Sequence, residues 1–165
     1  MKKVAVLILN RNLPNVTEKL YRNIKKNNGN LVDIFVIDSG SLKNNISKLT
    51  TWKADWKSAK AKGLRYGRGM NFGLSQLWKE KKFKKYDAFL LLTNDVEFSN
   101  YKFISKLIRI MNKHKKIGIL SPCSKNWGEK IYLKKDKTKY FWFIHNACYL
   151  LRREFIEDVA NIKKP

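Results

Sequence analysis

At 165 residues the chain fits one domain, long enough to bury a substantial core. It has no run of about 18 or more apolar residues, which excludes a membrane-spanning helix. The formal charge is +23, yet 29 of the 36 basic residues are lysine, scattered from Lys2 to Lys164. Only seven are arginine, the side chain whose planar fork suits phosphate and base recognition. No usual nucleic-acid module is present. Lysine as solvated surface is therefore the preferred account, and nucleic acid is disfavoured as a partner. A role at an anionic membrane surface stays open.

The opening, Met1-Lys2-Lys3 and then Val4–Leu9, has the basic and apolar parts of a signal peptide. Its apolar part is short and runs into Asn10-Arg11-Asn12 without a small-residue cleavage site. It reads as a first strand, in a protein expected to be cytoplasmic or peripheral at the inner membrane face. Pro14 suits the first turn of a helix, and Leu13, Val16, Leu20 and Ile24 repeat at helical spacing up to a stop at Asn27-Asn28-Gly29. The next strand, Leu31–Ile37, ends in Asp38-Ser39-Gly40-Ser41. Strand, helix and strand at this spacing make a βαβ unit with parallel strands.

Residues 42–66 follow no clear pattern: an edge strand, a helix or a packed loop all fit. Leu74, Leu77 and Trp78 mark a helix from about Asn71 to Lys81. The Gly67-x-Gly69 spacing is not a dinucleotide fingerprint, because Lys60–Arg65 precedes it instead of an apolar strand. Ala88–Leu92 is apolar at every position, as in a strand covered on both faces, and it runs into Thr93-Asn94-Asp95-Val96-Glu97. Ligands of open α/β sheets bind at such carboxyl ends. Magnesium-like ions use one or two carboxylates plus substrate phosphates, which makes Asp95 a metal ligand with Asn94 or Glu97 assisting. Alternatively, Asp95 and Ser99 cap the helix expected over residues 100–114.

Ile117–Leu120 predicts a short strand, residues 126–143 an antiparallel hairpin or edge, Cys148–Leu151 a strand, and Arg153-Glu154-Phe155-Ile156 a helix start. Cys123 and Cys148 sit in apolar-flanked contexts and read as buried thiols, with no disulfide framework or zinc site. His114, among lysines, reads as surface at a helix C-terminus.

Several of these segments together resemble the family-2 glycosyltransferases of the GT-A fold, over nearly all of the chain. VAVLILNRN is similar to that family's first strand and turn, and FVIDSGS to its nucleotide-binding strand. GRGMNFG matches a Gly-x-x-x-Asn-x-Gly pattern at Gly67, Asn71 and Gly73. LLLTNDVEF resembles the Asp-x-Asp metal motif with only its last carboxylate kept, and GILSP and HNACYLLRREFIEDV resemble the later strand and the acceptor-side segment.

The resemblance implies a single GT-A, Rossmann-like α/β domain over residues 1–165. It would have three layers, with a mostly parallel sheet, flanking helices and a small antiparallel portion near the C-terminus. It implies metal-assisted, inverting transfer from a nucleotide-diphosphate sugar to a glycan or lipid-linked acceptor. Asp38 would recognise the nucleoside, with Asn10, Asn12, Ser39 and Asn71 lining the pocket and Arg68 meeting a phosphate. Asp95, beside Asn94, would hold Mn2+ or Mg2+. His145 and Asn146 would face the acceptor. The family's catalytic base lies beyond the Arg-Arg-Glu-Phe segment, past residue 165. Glu157-Asp158 is read as helix surface. Two rivals remain: a degenerate domain that binds nucleotide with little turnover, and a basic α/β domain binding nucleic acid or an anionic surface.

Overall fold

A computed structural model describes residues 4–123, 138–140 and 147–162. Six strands form one sheet among them, in the order β3-β2-β1-β4-β6-β5. The parallel part comprises β1 (Val4–Asn10), β2 (Val32–Asp38), β3 (Thr50–Lys53) and β4 (Ala88–Thr93). β6 (Cys148–Arg152) runs antiparallel to β4, and β5 (Ile119–Leu120) antiparallel to β6. The mixed sheet has the expected GT-A arrangement, mostly parallel with an antiparallel portion near the C-terminus.

The continuous apolar runs occupy the centre because only there are both faces covered. Val4–Ile8 and Ala88–Leu92 are all buried. Alternate residues feed two cores. Val6, Ile8, Leu90 and Leu92 meet helices α1 (Pro14–Asn28) and α4 (Phe103–Lys113) through Leu20, Ile24, Ile104 and Leu107. Leu7, Ile37, Phe89 and Leu91 meet α3 (Tyr66–Lys79) through Met70 and Leu77, with Phe155 and Ile156 of α5 (Arg153–Ile162) beside them. Three layers result.

Residues 42–66 contain all three of the features left open for them: a loop, the edge strand β3 and helix α2 (Lys57–Lys62). Helix α3 begins at Tyr66, five residues before the expected Asn71, and takes the glycines inside it. Those glycines allow close approach to the sheet. A Cβ on Gly69 would lie 2.5 Å from Leu9 Cδ1, and one on Gly73 would lie 2.3 Å from Ile37 Cδ1. Cys148 is buried, whereas Cys123 is exposed, correcting the expectation that both are interior thiols. Almost all of the hairpin expected over 126–143 lies outside the described residues.

Candidate functional site

The parallel strands deliver Asn10, Asp38 and the turn at Asn94 to one end of the sheet, where a buried polar network joins them. Asn10 is fully buried. Its Nδ2 donates to Asp38 Oδ2 at 3.3 Å. Its Oδ1 accepts from the Thr17 hydroxyl at 2.8 Å and from Asn94 Nδ2 at 3.3 Å. Asn94 Nδ2 also lies 3.0 Å from Thr17 Oγ1. Buried polar groups must find such partners or lose their hydration uncompensated. The network therefore ties β1, β2, α1 and the turn after β4 into one unit.

Asp38 is fully buried and shapes the loop that follows it. Its Oδ1 accepts the backbone N–H of Gly40 at 3.1 Å and of Ser41 at 3.0 Å. Gly40 has φ +82°, and a Cβ there would lie 2.1 Å from the Ala59 carbonyl oxygen. Only glycine fits. Ser39 clasps Leu64, accepting its N–H at 2.6 Å and donating to its carbonyl at 3.0 Å. Asn12, at φ +58°, donates its N–H to Ser41 Oγ and accepts the Leu42 N–H at its own Oδ1. Arg11 donates from Nη1 to the Lys62 carbonyl at 2.7 Å, over Gly63. The loops after β1, β2 and α2 are thus stitched together over the carboxyl end.

Asp95 stands apart from this stitching. It is exposed in the turn after β4, and among the described residues no hydrogen bond or ion pair holds its carboxylate. The capping alternative is overturned, since α4 starts only at Phe103 and no side chain caps it. Glu97 is exposed and pairs with Lys19 at 3.6 Å. Arg68 and Asn71 are exposed in the first turns of α3, the helix whose start follows the Leu64 clasp. His145 and Asn146 lie outside the described residues. Ala147, which follows them, accepts the Thr93 N–H at 3.0 Å. Close by, Tyr66 packs edge-on against Tyr149 of β6 at 5.7 Å, and burial with the neighbouring phenol pushes the Tyr66 hydroxyl well above its ordinary range.

The structure therefore brings Asn10, Asn12, Asp38, Ser39 and Asn94 together, but it holds Asp38 and Asn94 from inside. Thr17 and Ser41 are network members that sequence reasoning passed over. Thr17 interrupts the apolar stripe of α1 at a core-facing position, a signal that a buried polar partner was needed. Among the described residues no three His, Cys, Asp or Glu side chains converge on a metal site. Among the described residues the turn after β4 offers one unpaired carboxylate, Asp95, which suits an ion that keeps its waters and borrows oxygens from a bound phosphate.

No family model and no curated protein matches the sequence. Among solved structures, the chain is similar to a mannosyltransferase from Pyrobaculum calidifontis in complex with GDP-Man and Mn2+. The TM-score is 0.68 at 12% identity, covering 96% of this chain and 46% of that one. It is also similar to a CMP:2-keto-3-deoxy-manno-octonic acid synthetase complexed with CTP. There the TM-score is 0.53 at 10% identity, covering 99% and 79%. The chain thus spans about half the length of the mannosyltransferase. These likenesses establish a GT-A-like fold.

Proposed function

We propose that this chain binds a nucleotide-diphosphate sugar at the carboxyl end of β1, β2 and β4 and transfers its sugar to an acceptor hydroxyl. The observation that carries the reading is Asp95, exposed and without a partner among the described residues, just beyond the buried run Ala88–Leu92, in a fold shared with a mannosyltransferase solved with GDP-Man and Mn2+. Residues 1–165 are taken as one donor-binding domain of family-2 type.

Each residue then has a part. Asp38, Asn10 and Ser39 hold the loops in register, so that backbone groups around Asn12 and Ser41 meet the nucleoside. Arg68 reaches the diphosphate and Asn71 lines the same side. Asp95 would hold Mn2+ or Mg2+, which offsets the negative charge that builds on the departing diphosphate. The acceptor hydroxyl attacks the anomeric carbon in line, with inversion, and loses its proton to a general base. No residue of this chain is assigned as that base; His145 and Asn146 belong to the acceptor side. The acceptor is a glycan or a lipid-linked sugar.

The experiment is the melting shift produced by UDP, GDP, dTDP and CDP at near-physiological salt, with and without Mn2+, on wild type and Asp95→Ala. One diphosphate should stabilise the wild type only with metal, and the mutant should lose that response. Equal, salt-sensitive stabilisation by every anion, unchanged by Asp95→Ala, would replace the reading with a basic polyanion-binding domain.

A further inference from the structure

The end of the sheet opposite Asp95 gathers lysine. Helices that cross back over a parallel sheet finish at the amino ends of its strands, where cations also favour the helix dipole. Lys25 and Lys26 close α1, Lys79 closes α3 and Lys113 closes α4. The connection from α3 to β4 adds Lys81, Lys82, Lys84 and Lys85.

Topology turns these charges into a surface. β3 pairs with β2 only from Val36 onward, so among the described residues no strand flanks Val32–Phe35 on that side. A groove of about 430 Å³ lies along this open edge, bringing Lys25 of α1 together with Lys82, Lys85, Tyr21 and Tyr86. Two carboxylates temper it. Asp33 accepts the Tyr86 hydroxyl at 3.0 Å, and Glu80 accepts both Trp52 Nε1 and Lys82 Nζ at 2.7 Å. In the last turn of α3, four residues before Lys82, Trp78 is 58% exposed, its ring leaning on Phe83 at 5.1 Å.

We propose that this end docks on an anionic lipid bilayer through Lys25, Lys82 and Lys85, with Trp78 entering the interface. Point-charge lysines beside an exposed tryptophan suit lipid headgroups, which ask for charge and an amphipathic ring rather than for forks. Nucleic acid is disfavoured because the groove is lined by lysines and by no arginine fork. Arg152 donates to the Ile117 and Met111 carbonyls behind α4, and Arg153 pairs with Glu154 and Glu157. The docking does not depend on the nucleotide reading. If both hold, the seven residues of β1 set the donor site about 20 Å above the lipid phosphates, facing acceptors that extend from the surface.

The test is flotation with phosphatidylcholine vesicles, with and without phosphatidylglycerol, at near-physiological salt. Binding should require phosphatidylglycerol. The triple variant Lys25→Gln, Lys82→Gln, Lys85→Gln should lose about tenfold or more, since each lysine near such a surface contributes on the order of a fivefold gain. Trp78→Ala should weaken binding severalfold. An equal charge change at the far end, Lys43→Gln, Lys57→Gln, Lys60→Gln, should cost much less. Circular dichroism and melting curves check that all variants fold. Equal losses in the two triples, or no vesicle binding, would overturn the proposal. A groove triple that loses duplex DNA more than vesicles would do the same.

Discussion

Asp38 and Asp95 begin from the same signal, a carboxylate just after a buried apolar strand, and end in opposite situations. Asp38 is fully buried, with its oxygens accepting from Gly40, Ser41 and Asn10. Asp95 is exposed and, among the described residues, held by nothing. The difference follows from what lies next to each strand. β2 is flanked by β1 and β3, and helix α2 folds back over its end, so a turn there must be satisfied from within. Beyond β4 the chain runs nine residues before α4 and leaves its carboxylate facing out. An acidic strand end is therefore available to a ligand only when its neighbours leave it unspent.

That contrast breaks first at Asp95. Asp95→Ala should lower glycosyl transfer by about 100-fold or more, the scale of losing one charge-stabilising contact. Its melting temperature without ligand should stay near wild type. A large loss of stability would show that Asp95 is spent in the fold after all. Asp38→Ala should do the reverse, destabilising the protein by about 2–4 kcal/mol through orphaned N–H groups of Gly40 and Ser41. Urea denaturation measures it. A stable Asp38→Ala protein that has lost only nucleotide binding would restore Asp38 as a direct ligand.

The two cysteines sharpen the same point with a smaller effect. Burial pushes the Cys148 thiol up to about 12, which removes its thiolate at ordinary pH. Iodoacetamide at pH 8 should therefore label Cys123, which is exposed, and spare Cys148. Intact mass after short exposure should show one adduct. Rapid double labelling would mean that the sheet opens at β6, between β4 and β5.

Much of the frame was legible because it rests on local patterns. Val4–Ile8 and Ala88–Leu92 show their central place by being apolar at every position, and Leu20 and Ile24 show the buried face of α1 by spacing. The start of α3 was misplaced because glycine counts against helix locally. Gly69 and Gly73 are there for contacts with Leu9 and Ile37, some 36 or more residues away in sequence. The Asx turn at Asp38 was hidden for a similar reason. A carboxylate offered to a ligand and one consumed by its own loop look alike until α2 is seen to cover the loop.

Thr17 offers the finest test, because it carries the link between strand ends without contacting any expected ligand. Its hydroxyl sits 2.8 Å from Asn10 Oδ1 and 3.0 Å from Asn94 Nδ2. Thr17→Val keeps the shape and removes the hydroxyl, so the cost should be about 1–2 kcal/mol from the stranded amides. Thr17→Ser keeps the hydroxyl and should recover most of the polar part, leaving a methyl-sized deficit of about 1 kcal/mol. If the network also sets the angle of the turn that presents Asp95, Thr17→Val should weaken metal-dependent nucleotide binding beyond any change in stability. Thr17→Ser should restore that binding. Equal binding in both variants would confine Thr17 to the fold and leave Asp95 positioned by β4 alone.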